Sequence, residues 1–128
     1  MRFVVKAAPA SDAKANTVSF TEKTMYRGKD ISVGDEIFVF ASDHHGGKGL
    51  SARGVVTSVA PGVGSRRSIE VKLIAAARRK VGRDELKPFR DLSDRQPQTE
   101  IACKLYRQAT NKIAGISDEA AEFLSTFF

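Results

Sequence analysis

The feature that most constrains this chain is the turn Val33-Gly34-Asp35, leading into Glu36-Ile-Phe-Val-Phe-Ala-Ser42 and, past a glycine-rich stretch, into Leu50-Ser-Ala-Arg-Gly-Val-Val-Thr-Ser-Val59. A Gly-Asp pair before an apolar run marks a tight turn into a strand, because glycine reaches backbone conformations that other residues avoid. Along the first run Ile37, Val39 and Ala41 point one way and Phe38 and Phe40 the other. Apolar residues on both faces call for a strand covered on both sides, with one of the two phenylalanines expected in the interior of a barrel. Gly54 in the second run predicts a bulge or bend of the kind that curls a sheet.

The rest of the chain supplies partners for these strands. Arg2 to Ala7 reads as a first strand, and Ala8 to Val18 as a polar, small-residue loop, a candidate binding rim. Ser19 to Arg27 is open between a short helical turn capped by Ser19 and an extended segment. Asp43 to Gly49 reads as a flexible loop, and Ala60 to Ser65 as a turn centred on Pro61-Gly62. Arg66 to Ala76 then forms the hairpin partner, with Ile69, Val71 and Leu73 alternating with Glu70, Lys72 and Ile74. Asp84 to Leu92 suggests a short helix or loop interrupted by Pro88, and Asp91 to Gln98 a surface connection. Thr99 is placed to cap a helix burying Ile101, Ala102, Leu105 and Ala109. Ser117 caps a last helix, with Asp118 and Glu119 in its first turn and Ala120, Phe123, Leu124 and Phe127 at core-facing spacing.

A chain of 128 residues fits one domain, 1–128, able to build a core without disulfides or structural metals. Its apolar runs are far too short to cross a bilayer, which excludes a membrane partner of the spanning kind. Met1-Arg-Phe-Val-Val-Lys lacks the apolar stretch and cleavage site of a secretory signal. The single cysteine, Cys103, cannot form an internal bridge, and the cytoplasm is the expected compartment.

The net charge of +6 is concentrated in the middle of the chain. Residues 51–90 carry ten Lys/Arg against three Asp/Glu, enough for a phosphate-attracting surface if several share a face. The competing reading is a solvated basic surface. His44-His45 lacks neighbours at ligand spacing, so no metal or other cofactor is expected. The loop His44-His-Gly-Gly-Lys-Gly49 lacks the order of a P-loop; its backbone amides and Lys48 suit a phosphate, or it is simply a hairpin loop. Cys103 reads as a buried or half-buried structural thiol. Among the aromatic residues Tyr26 is the candidate for stacking a base, since it adjoins Arg27 and Lys29.

The segments Lys23–Ser42 and Leu50–Val59 resemble the PUA-like superfamily. Its EVE and ASCH branches pair a strand entered through Gly-Asp with a strand patterned like Gly49-Leu-Ser-Ala-Arg-Gly-Val-Val56. The resemblance runs from about Phe20 to Leu73 and implies an α+β fold, a small PUA-like β-barrel with flanking C-terminal helices. In the ASCH lead-in, G-x-K-x-x-E-x-R, Lys23 matches the lysine, whereas Thr21, Tyr26 and Gly28 replace the other three signature residues. The pocket tryptophans usual in EVE domains are also absent.

Two functional readings follow. The first is a binding module for RNA or DNA that receives a modified or flipped base in a basic barrel-mouth pocket. Its site would comprise Lys23, Tyr26, Arg27, Lys29, Lys48, Arg53, Arg66, Arg67, Arg78 and Arg79, with the Asp43 to Gly49 loop at the pocket's edge and no catalytic residue. The alternative is a small ASCH-like hydrolase of a modified nucleoside or RNA, with Lys23 and Glu70 as its polar pair. A protein-interaction domain is a third possibility. The oligomeric state is not legible.

Overall fold

Gly34 adopts φ +96°, a conformation open to glycine, and the turn it makes delivers the chain into a strand at Glu36. The computed structural model describes residues 2–8, 16–42, 49–108 and 110–128. Within them six strands, β1 (Arg2–Ala7), β2 (Thr17–Met25), β3 (Glu36–Ala41), β4 (Gly49–Pro61), β5 (Arg66–Ala76) and β6 (Lys112–Ile116), close into a barrel in the order β1-β3-β4-β5-β2-β6. Three helices accompany it: α1 (Arg83–Leu86), α2 (Pro97–Tyr106) and α3 (Asp118–Ser125).

The two faces of β3 serve two cores. Ile37 and Val39 point inward with Phe3, Val5, Phe20, Val56, Ile69, Val71 and Ile113 and fill the barrel. Phe38 and Phe40 point outward and are fully buried under the helices with Leu50, Leu86, Ile101, Leu105 and Leu124. Neither phenylalanine faces the interior, because residues two apart on a strand share a face and this face meets the helices. The covered central strand is as the alternation predicted.

Gly54 stands where the pairing of β4 with β5 shifts register. A methyl group there would lie 2.4 Å from the Lys72 carbonyl oxygen, so the close approach of the two strands excludes a side chain. Ser19 to Arg27 resolves largely as strand, since β2 runs to Met25 with Val18 and Phe20 inside the barrel. The hairpin turn after β4 is centred one to two residues beyond Pro61-Gly62: Pro61 still pairs with Arg67, and Gly64 takes the left-handed conformation.

Helix α2 starts at Pro97 rather than after Thr99, because a proline in the first turn gives up no helical hydrogen bond. Thr99 instead donates its hydroxyl to Asp94. The helix buries Ile101, Ala102 and Leu105 and ends at Tyr106; Ala109 lies outside the described residues. Ser117 caps α3 as expected, its Oγ accepting from Ala120 N at 3.1 Å. Ala120 and Leu124 are fully buried, while Phe123 and Phe127 are partly buried against the same core. The sequence reading did not include β6.

Candidate nucleic-acid interface

Strand register builds a row of four cations. In the β2–β5 pair Lys23 lies opposite Arg66, in the β2–β6 pair it is level with Lys112, and in the β1–β6 pair Lys112 lies opposite Lys6. Directly paired residues project from the same face of a sheet. Val4 and Ala114, two positions along the β1–β6 ladder, belong to the helix-side core, so the row faces outward.

The two halves of the row differ in environment. Lys6 and Lys112 are buried; Lys6 Nζ donates to Leu105 O at 2.8 Å and Lys112 Nζ to Lys104 O at 2.9 Å. Those carbonyls end α2, where the helix supplies no partners and the dipole is negative. Burial, and secondarily the charge of Lys6, pushes the Lys112 ammonium from its ordinary 10.5 down to about 8. Lys23 and Arg66 are exposed, with Arg66 Nη1 3.9 Å from Glu22 Oε1.

Beyond Lys23 the chain turns sharply. Tyr26 and Arg27 adopt positive φ values of 51° and 68°, and Gly115 N donates to Tyr26 O at 3.0 Å. Gly28, next in the chain, approaches β6 so closely that a methyl group would lie 2.1 Å from Ile113 O. The turn presents the Tyr26 ring 43% exposed, with Lys104 Nζ 5.6 Å from the ring centroid. Arg27 pairs with Asp30 at 3.1 Å, Lys29 is exposed, and Arg67 is half-buried opposite Glu22. The structure thus brings Lys23, Tyr26, Arg27, Lys29, Arg66 and Arg67 to the end of the barrel where β2 finishes and β5 begins.

Arg53, Arg78 and Arg79 form a separate group towards the far end of β5. Arg78 donates through its backbone N to Phe127 O at 2.6 Å and through Nη2 to Thr126 O at 2.9 Å, holding the last turn of α3. Arg79 bonds Glu85 at 2.6 Å and lies 5.2 Å from the Phe127 ring centroid, and Arg53 lies 5.5 Å from that of Phe128. Lys48, His44-His45, most of the glycine-rich loop and the core of the candidate rim lie outside the described residues. Lys23 and Glu70 are not brought together, since Glu70 pairs with Ser19, four positions or roughly 13 Å along the strand. Among the described residues no three His, Cys, Asp or Glu side chains are grouped to hold a metal.

A cavity of about 590 Å³ opens beside α2, lined by Leu92, Asp94, Thr99, Glu100, Cys103 and Ser117. Burial pushes the Glu100 carboxyl up, but bonds from the Ser117 hydroxyl and backbone N–H, with Lys104 at 3.0 Å, outweigh it and leave the group below its ordinary value. Cys103 is half-buried and donates to Arg90 O at 3.1 Å, the structural thiol expected. Sequence reasoning missed Lys6, Lys104 and Lys112. Their only signal is a lysine within each short apolar stretch, which reads as surface.

A closed barrel of six strands with helices packed on its outer face defines a small α+β barrel. Compared by sequence, the chain matches no family model and no curated protein. Compared by structure, it is similar to the DUF55 domain of human thymocyte nuclear protein 1, at 12% identity with a TM-score of 0.67 over 98% of both chains. It is also similar to human THYN1 solved in complex with 5-methylcytosine-containing DNA, at 13% identity and a TM-score of 0.67 over 98% of this chain and 96% of that one. A hypothetical protein from Leishmania major gives 18% identity and a TM-score of 0.62 over 98% and 92%. The chain shares the fold of these domains, and that fold is the small α+β barrel with C-terminal helices that the sequence led us to expect. Among the described residues no helix is long and apolar enough to cross a membrane.

Proposed function

We propose that this chain, acting as one domain over 1–128, is a non-catalytic nucleic-acid-binding module of the cytoplasm that holds a phosphate backbone and receives one flipped or modified base. The observation that carries this reading is the exposed pair Lys23 and Arg66, side by side on the outer face and adjoined by the turn that presents Tyr26. Lys23, Arg27, Lys29, Arg66 and Arg67 supply charge for the phosphates, and the partly exposed Tyr26 ring supplies a stacking surface. The barrel interior is filled with apolar side chains, so the base rests on the outer rim against Tyr26. Arg53, Arg78 and Arg79 form a secondary group. The single cysteine, half-buried, suits a reducing compartment.

The 5-methylcytosine-containing DNA in the human THYN1 complex makes that ligand the first to test. Fluorescence anisotropy with duplex and single-stranded DNA and RNA, each with and without 5-methylcytosine, should show salt-dependent binding and a preference for one base. Tyr26→Ala should weaken binding to that base about tenfold, the scale of one lost stacking contact. No binding at low salt to any of these would overturn the module. Equal loss for the preferred and the other bases would remove Tyr26 from the site.

A further inference from the structure

The hairpin joining β4 to β5 carries an apolar apex with cations on its β5 arm. Val63 is 87% exposed, the most exposed of the large hydrophobic side chains described. Single apolar side chains on a surface are ordinary, so exposure alone says little. The construction of the turn says more. Gly62 N donates to Arg66 O at 3.0 Å and Arg66 N to Val63 O at 3.2 Å, while Gly64 takes φ +63°. Ser65 O accepts from Thr24 N at 3.1 Å and Thr24 Oγ1 at 2.8 Å, which ties the base of the hairpin to β2. The tip is therefore braced, with Val63 held out from the barrel.

Charge surrounds this apex on the barrel side. Arg66 and Arg67 follow it after Gly64 and Ser65, and Lys23 lies opposite Arg66. The chain has no Asp or Glu between Ser58 and Ile69; the acidic neighbour is Glu22, opposite Arg67. One valine is too small to dock a protein surface or a bilayer, both of which need a contiguous apolar patch. It matches the gap between two stacked base pairs, where an apolar wedge leaves water while flanking cations meet phosphates on either side.

We infer that the β4–β5 hairpin is a wedge that inserts Val63 into the base stack of a double-stranded nucleic acid, with Arg66, Arg67 and Lys23 on the adjoining phosphates. This rests on the module reading and adds to it a way of loosening a base from its stack before the base is read.

The test uses the full chain with a duplex carrying one 2-aminopurine, whose fluorescence rises on unstacking, and with the matching single strand. Wild type should raise the duplex signal. Val63→Ser should abolish the rise and weaken duplex binding about tenfold, with single-strand binding and thermal unfolding unchanged. Identical duplex affinity and signal for Val63→Ser and wild type would overturn the wedge, as would duplex binding without any rise in signal. Binding to single strands but to no duplex would overturn the wedge and leave the module standing. Failure to bind either would overturn both.

Discussion

Lys112 is a charged residue on a strand where every position is buried, and its ammonium spends its donor on the end of α2. Its folded value, about 8, lies below the unfolded 10.5. Below pH 8 both states are protonated and the folded chain carries the whole penalty. Between pH 8 and 10.5 the unfolded chain binds more protons, so stability from this group rises with pH. A shift of that size corresponds to about 3 kcal/mol. Denaturant unfolding of wild type and Lys112→Met should therefore diverge in slope over that window, with the rise absent from the variant; parallel curves would show the ammonium unstrained. Glu100 works in the opposite direction. Its folded value is lowered, so its contribution is present above the unfolded 4.5 and is lost as pH falls through the folded value. Glu100→Ala should cost roughly 1.5–3 kcal/mol at neutral pH, since it removes the acceptor of Ser117 N and the ion pair of Lys104, whose ammonium keeps Gly115 O, and the gap to wild type should close in acid.

At the scale of elements, α3 is held by Leu124, Ala120 and Ala121, all fully buried, with Phe123 and Phe127 at the edge. Leu124→Ala should cost about 2–5 kcal/mol in unfolding free energy, and Phe123→Ala less, because the smaller side chain leaves a gap that water already reaches. Gly54→Ala should destabilise as well, since the Lys72 carbonyl occupies the space its methyl would need. These elements were legible because each carries a local signal: Gly34-Asp35 for the turn and the apolar run of β3 that follows it, alternation in β5, Ser117 for the cap. Strand β6 was not. Lys-Ile-Ala-Gly-Ile is buried at all five positions, between the barrel interior and the helices, so it shows no alternation, and its leading lysine reads as solvent-facing. The start of α2 was misplaced for a similar reason. Thr99 has the chemistry of a cap, but the tertiary partner Asp94 claims its hydroxyl.

At the scale of the whole molecule the basic residues fall into two groups whose division no sequence count reveals, because it depends on the shear that sets Lys23 level with Lys112 as well as opposite Arg66. What was legible of the candidate site was that Lys23 and Tyr26 stand close together; what was not was how the remaining arginines are occupied. In the first group Lys23 is exposed, and Arg66 and Arg67 have Glu22 as their acidic neighbour. In the second, Arg78 and Arg79 hold Thr126 O and Glu85, so their removal acts first on the end of α3. Each phosphate neutralised contributes about 0.9 to the slope of log affinity against log salt on a duplex. Neutralising Lys23, Arg66 and Arg67 together should therefore lower that slope by about 2 to 3 while leaving the unfolding midpoint in place. Neutralising Arg53, Arg78 and Arg79 should lower the midpoint and change the slope less. The reverse pattern, with the slope falling only when the second group is removed, would move the phosphate track to the far end of β5. An unchanged slope in both would assign the charge of this chain to solubility, because a backbone contact cannot be lost without the ions it displaced returning.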